Sequence, residues 1–250
     1  MMELVEVTKI YQQGRRSVQA VRGVSLSIAA GEFVSIMGPS GSGKSTLMHL
    51  LGALDTPTSG KALFAGQDLN ALSDRDRSLL RRTRIGFIFQ FFNLLPTLKG
   101  AENVALPLLL GGCSRGKALK EAAESLERVG MSHRADHFPE EMSGGEMQRV
   151  AIARALVSHP EAILCDEPAG NLDTATSRDV LALLRSLPDD GKRSVVMVTH
   201  DPTAAAYGDR LVHIRDGLIE RIEQRSEVSG QESAVRSQES GIRGQESGVR

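Results

Sequence analysis

The chain has 250 residues, 40% of them hydrophobic, with 30 basic and 31 acidic side chains and a formal net charge of −1. That length allows one large or two small domains with a sizeable core, and the charge balance excludes a general electrostatic pull toward nucleic acid or an anionic membrane. Cys113 and Cys165, the only cysteines, lie far apart and outside any C-x-x-C pair, which argues against a disulfide framework or a zinc site and fits a reducing cytoplasm.

The first residues, Met1 to Glu6, lack the basic region and apolar core of a secretion signal, and the longest apolar candidate, 104–110, contains Pro107 and falls far short of the ~20 residues that span a bilayer. A cytoplasmic protein is expected. Leu4, Val5, Val7 and Ile10, then the alternating Val24, Leu26 and Ile28, predict an antiparallel sheet at the start of the chain. Tyr11 ends its first strand, where the ring could stack on a base or pack as an edge-strand aromatic; position alone leaves both open.

The apolar run 33–37 reads as a buried strand, and Leu47, Met48, Leu50, Leu51 and Leu54 read as a helix. Between them stand Gly38, Pro39, Ser40, Gly41, Ser42, Gly43, Lys44, Ser45 and Thr46, with the spacing G-x-x-x-x-G-K-S. Glycines at a strand-to-helix turn let backbone N–H groups converge on phosphate oxygens, and the helix adds its positive end. Lys44 is then expected on the β- and γ-phosphates and the Ser45 hydroxyl on Mg²⁺, the plainer alternative being a Gly/Ser-rich surface turn.

A turn-rich stretch at 55–60 precedes a strand at 61–65, and Ser73 with Asp74 and Asp76 opens a helix bearing Arg75, Arg77, Arg81, Arg82 and Arg84. Neutral net charge and the lack of interleaved aromatics favour a solvated face over a DNA contact. A short β-rich run, 85–89, ends at Gln90, and 91–96 is too apolar for an ordinary loop. From about 92 to 159 the pattern turns helical, which predicts an inserted helical subdomain. Its last helix opens with Ser143, Gly144, Gly145 and Glu146, a capping-box spacing that explains the serine and glutamate. The two glycines are left over, since each costs about 1 kcal/mol relative to alanine in a helix; close approach of the backbone to an anion would explain them.

The strand pattern 162–165 runs into Asp166 and Glu167. Carboxylates at the end of a buried strand lie where open α/β sheets bind ligands, so Asp166 is the expected Mg²⁺ partner of Ser45, and Glu167 is placed to orient or deprotonate a water attacking the γ-phosphate. A third apolar strand, 194–199, ends at His200, which reads as a γ-phosphate contact by the same location. Asp216-Gly217 signals a hairpin. From 226 to 250 a seven-residue repeat, Gln-Glu-Ser at 231, 238 and 245, offers one apolar position per heptad where a coiled coil needs two, so a disordered tail is predicted.

Taken together, the chain resembles the ATP-binding cassette (ABC) ATPases from about 5 to 223. Tyr11 falls at the adenine-stacking position, 38–46 at Walker A, Gln90 at the Q-loop, 143–148 at the signature motif, 163–167 at Walker B, 171–173 at the D-loop and His200 at the switch histidine. Phe91 to Thr97 and Glu102-Asn103-Val104 look like the subgroup that serves lipoprotein release, macrolide export and cell division. Met142, Glu146 and Met147 depart from its usual signature.

The resemblance implies an α/β P-loop NTPase core with a mixed sheet, an N-terminal antiparallel β-subdomain and an inserted helical subdomain, spanning 1–225. It implies an ATP hydrolase working with Mg²⁺ as a head-to-tail homodimer, with Ser143, Gly144, Gly145 and Glu146 facing the mate's nucleotide and Gln90 sensing the metal. A membrane permease would dock beside 91–96, with the chain peripheral on the cytoplasmic face of the inner membrane. A division-type signalling ATPase uses the same motifs and stays open as an alternative. A soluble relative acting on DNA or ribosomes usually carries a second cassette or a coiled-coil insertion, which this chain lacks.

Overall fold

The computed structural model describes residues 2–14, 16–190 and 193–224; the repeat predicted to be disordered lies outside them. The strands sort into two sheets according to how many of their faces are covered. In β1 (Met2–Gln13) and β2 (Arg16–Ile28), paired antiparallel, burial alternates: Val24, Leu26 and Ile28 are inside while Ser25 and Ser27 are exposed. That is the period of a sheet covered on one side. β3 (Phe33–Met37) is instead buried almost throughout and leads through the glycine loop into α1 (Lys44–Leu51). β4 (Ser59–Phe64) and β5 (Gln67–Asp68) complete the antiparallel sheet in the order β2-β1-β4-β5.

After α2 (Asp74–Thr83) and β6 (Ile85–Phe89), the chain forms α3 (Gly100–Leu110), α4 (Arg115–Arg128) and α5 (Gly144–Leu156), which pack on one another. It returns through β7 (Ala162–Asp166), α6 (Thr174–Ser186), β8 (Ser194–Thr199) and α7 (Pro202–Ala205) to the hairpin of β9 (Arg210–Arg215) and β10 (Leu218–Gln224). Asp216 and Gly217 turn that hairpin with φ of 49° and 78°, the left-handed pair that a two-residue turn requires.

The second sheet has the order β10-β9-β3-β8-β7-β6, parallel except for β10. Its side chains point alternately into two cores. Val196 and Val198 of β8 join Leu47, Leu50 and the antiparallel sheet on one face, whereas Val195 and Met197 join Val104, Leu126 and Val150 of the helices on the other. The fold is thus the expected α/β core with a mixed sheet, and the early antiparallel strands form a sheet of their own. Register aligns the strand ends: Met37 lies opposite Thr199, and Asp166 opposite both Val198 and Phe89. Gly38, Gln90, Glu167 and His200 therefore emerge along one edge.

One expectation needs correction. The arginines of α2 are less of a solvated face than their spacing suggests. Arg81 and Arg82 are partly buried and donate to the carbonyls of Ala53 and Leu110 (both 2.5 Å), and Arg84 pairs with Glu161 at 2.6 Å. Their long stems cover apolar surface and carry the charge to carbonyls that helix and turn ends leave open.

Candidate active site

The glycine loop is shaped by what crowds it. Gly43 has φ of 100°, and a Cβ there would sit 2.3 Å from the carbonyl oxygen of Ala20; at Gly38 it would sit 2.1 Å from that of Ile214. Only glycine fits either place. α1 then begins without a side-chain cap or an acidic residue in its first turn, whereas α2, α5 and α6 are capped by Ser73, Ser143 and Asp173. Lys44 is 7% exposed, and its Nζ donates to the carbonyls of Gly38 (2.8 Å) and Pro39 (2.9 Å). Among the described residues no carboxylate pairs with it. A buried cation beside an uncapped helix start suits a bound anion, and phosphate above all.

The carboxylates arrive from β7. Ser45 Oγ donates to Asp166 Oδ1 at 3.2 Å. Burial pushes the Asp166 carboxyl up, and the Ser45 hydrogen bond works against that rise. Glu167, the next residue, has φ of 46°, a left-handed backbone that is rare for a side-chain-bearing residue; its N–H is held by the Val198 carbonyl at 2.9 Å. Its Oε1 lies 2.9 Å from His200 Nδ1. Gln90 is held across the gap, its Nε2 donating to Asn171 Oδ1 while Asn171 Nδ2 donates back to the Gln90 carbonyl, both at 3.1 Å.

A cleft of 690 Å³ gathers these groups: Pro39, Ser40, Gly41, Gly43, Lys44, Ser45, Thr46, Gln90, Asp166, Glu167 and His200 all line it. Ser42 is buried beneath the loop, its backbone carbonyl accepting from Gly217 N–H. The hydroxyl of Ser45 and the carboxylate of Asp166 are hard oxygen donors, few in number, which suits Mg²⁺: that ion keeps several waters and takes its remaining ligands from phosphates.

Two predicted groups stand apart from the cleft. Tyr11 is tied to Asp55 by its hydroxyl (2.8 Å), with Lys9 Nζ 4.9 Å from the ring centroid. Ser143 and Glu146 form the predicted capping box: Ser143 Oγ accepts from Glu146 N–H at 3.3 Å, and Glu146 Oε2 accepts from Ser143 N–H at 2.8 Å. That backbone N–H and the Arg134 guanidinium, 2.7 Å away, hold the Glu146 carboxyl down to about 2. Gly144 and Gly145 lie against Phe92, Leu172 and Thr176, not against the phosphate loop.

Gln148 carries a contact that sequence reasoning did not single out. It is fully buried in α5, and its Nε2 donates to the carbonyls of Pro168 (2.5 Å) and Phe89 (3.4 Å), the neighbours of Glu167 and Gln90. A polar residue at a helical spacing shared with buried Ala151 and Ile152 is the one sequence signal that could have drawn attention to it.

The sequence profile of the family described as ABC transporter matches residues 21–170. The chain belongs to the ABC transporter family. An uncharacterized ABC transporter ATP-binding protein of Thermotoga maritima is 50% identical over 92% of this chain and 97% of its own length. The lipoprotein-releasing system ATP-binding protein LolD of Acinetobacter baylyi is 47% identical over 87% and 96%. The dimeric post-hydrolysis structure of the ATP-binding cassette MJ0796 of Methanocaldococcus jannaschii, bound to ADP and Pi, is 44% identical with a TM-score of 0.83, covering 90% of this chain and 98% of that one. The cassette also matches macrolide export ATP-binding/permease proteins, but spans only 34% of the one from Chlorobium luteolum. As a member of the family it is an ATP-binding, ATP-hydrolysing protein, in the subgroup to which its motifs pointed. Among the described residues no helix is long and apolar enough to cross a membrane.

Proposed function

We propose that this cassette is the motor of an export or extraction complex: two copies clasp two ATP molecules head to tail and drive a separate membrane permease from the cytoplasmic side. One observation carries the reading. A single cleft collects Lys44, Ser45, Gln90, Asp166, Glu167 and His200, yet Ser143, Gly144 and Gly145 of the same chain lie outside it. A second copy supplies what one copy lacks. The dimeric MJ0796 structure and the lipoprotein-releasing and macrolide-export names of the relatives support this assembly.

In that arrangement the backbone of 38–46 and Lys44 bind the β- and γ-phosphates, Tyr11 stacks on the adenine, and the mate's Ser143, Gly144, Gly145 and Glu146 close the far side. Ser45 and Asp166 would hold Mg²⁺, which when bound adds positive charge beside the phosphate oxygens, and Gln90 would sense it. Glu167 orients the attacking water and accepts its proton at a carboxylate oxygen as the water oxygen bonds to the γ-phosphorus. The bond from that phosphorus to the β,γ-bridging oxygen breaks, and the electron pair leaves with ADP. His200, bonded through Nδ1 to Glu167, fixes the direction of the carboxylate and contacts the γ-phosphate.

The test is Glu167→Gln, which keeps the shape and removes the base. ATP binding should persist and ATP should now hold a stable dimer in size-exclusion chromatography, while hydrolysis falls by about 100-fold or more. Wild-type turnover in that variant would remove Glu167 from its role, and a variant that stays monomeric with ATP bound would refute the clasp.

A further inference from the structure

The two helix starts that the clasp sets against phosphate differ in charge. α1 has no acidic residue in its first turn, whereas α5 carries Glu146 there, one of the positions that depart from the usual signature. Glu146 is ionised at any working pH, since the Ser143 N–H and the Arg134 guanidinium hold its carboxyl down to about 2. A carboxylate in the first turn offsets the positive end of the helix, and a triphosphate brought against it meets repulsion. The turn before α5 adds Glu140 and Glu141, both exposed and, among the described residues, without an ion-pair partner.

One cation answers that charge. Arg134 Nε donates to Glu146 Oε1 at 2.7 Å while Oε2 of the same carboxylate accepts the Ser143 N–H at 2.8 Å, so both oxygens are taken and the side chain is folded back on its own helix start. His133 Nε2 is 3.7 Å from Oε1, beyond hydrogen-bond reach. The backbone holds Arg134 in place. It ends a single 3₁₀ turn, Ser132–Arg134, and the residues after it bind the start of α3: Gly100 N–H donates to the His137 carbonyl (2.9 Å) and Ala101 N–H to that of Ala135 (2.8 Å). A Cβ on Gly100 would stand 2.6 Å from the Arg134 carbonyl oxygen, so this close approach needs glycine. Among the described residues the guanidinium has no other acidic partner, and its charge is committed to Glu146.

We propose that Arg134 is a positioning residue for the clasp: it cancels the charge of Glu146 and keeps that carboxylate on the Ser143 N–H, so that the mate's γ-phosphate meets the start of α5 as a positive helix end. The proposal rests on the clasp reading above and adds what lets an acid stand in a phosphate-facing turn. Arg134 acts through Glu146, so the strength of the ATP-bound dimer should follow the net charge of the pair. That charge is negative in Arg134→Gln, zero in the wild-type pair and in the double variant, and positive in Glu146→Gln.

The test uses the full chain with Glu167→Gln as the parent, in ATP and Mg²⁺, and reads the dimer dissociation constant by sedimentation. Arg134→Gln should weaken the dimer by about tenfold or more, and Glu146→Gln should tighten it by about threefold. The double variant should return to within about threefold of the parent, a coupling that a merely structural arginine would not show. Binding of a fluorescent ADP analogue, which reads the Lys44 cleft of the lone chain, should change by less than about twofold in Arg134→Gln. If Arg134→Gln melts below the working temperature, Arg134→Lys carries the test: a single bond through Nε is one a lysine can replace, so the dimer should hold to within about threefold, and a loss of about tenfold overturns the proposal. A dimer unchanged by Arg134→Gln, a dimer weakened by Glu146→Gln, or a double variant as weak as Arg134→Gln alone each overturns it too. So does loss of the ADP analogue together with the dimer, which would place the fault in the fold. A parent that stays monomeric with ATP refutes the clasp itself, and this proposal with it.

Discussion

The cassette carries two glycine stretches beside phosphate-binding motifs, and they are glycine for different reasons. In the loop before α1, Gly43 takes φ of 100° and has a carbonyl where a Cβ would go, so the fold of one chain demands it. In the first turn of α5, Gly144 has helical backbone, and a Cβ there would meet Leu172 and Phe92 at 3.4 and 3.7 Å, ordinary contact distances. Gly145 is intermediate, facing Thr176 Cγ2 at 2.3 Å. What one chain's packing demands can be read from that chain alone. A glycine that packing leaves free points outside it, on the proposed reading to the mate's nucleotide.

The contrast can be broken by the same substitution at two places. Gly43→Ala should cost about 3 kcal/mol, through a strained backbone and a clash with the Ala20 carbonyl, and should abolish nucleotide binding; thermal melts and fluorescent-nucleotide titration read both. Gly144→Ala should instead leave the lone chain as stable or raise it by about 0.5 kcal/mol, since alanine favours the helix, with nucleotide affinity of the monomer unchanged. Its loss should appear only in the pair, as turnover lower by about 100-fold and a missing ATP-bound dimer. Equal melting losses in both variants would erase the distinction.

The smallest effect concerns the cap beside Gly144. The Glu146 carboxyl falls from 4.5 to about 2 in the fold, so between those values the unfolded chain takes up a proton that the native chain refuses. Glu146 therefore contributes stability that is complete above pH 4.5 and is lost as pH falls toward 2. Glu146→Gln should melt lower than wild type at neutral pH and approach it as the solution is acidified. A gap that stays constant with pH would mean that the cap acts by shape alone.

Much of this site was legible because parallel strands end at one edge, so that each motif after an apolar run had to arrive there. Asp166, Glu167 and His200 followed from that rule, and Lys44 from the glycine spacing before α1. What escaped were contacts that exist only between distant segments: Gln148 bridging Phe89 and Pro168, Arg154 holding two carbonyls, and the Asn171 to Gln90 exchange. The arginines of α2 misled because a charge pattern reports spacing along a helix and not which neighbours' carbonyls lie within reach of its guanidiniums. The left-handed backbone of Glu167 has no signature in its residue type.

The strand order β3-β8-β7 sets Ser45 and Asp166 astride a strand that donates neither of them. Two interstrand spacings, ~10 Å, separate β3 from β7, and β8 is the ruler between. Main-chain hydrogen bonds fix those spacings, so the width of the catalytic gap is set by backbone pairing across β8 and not by the side chains that would face a ligand.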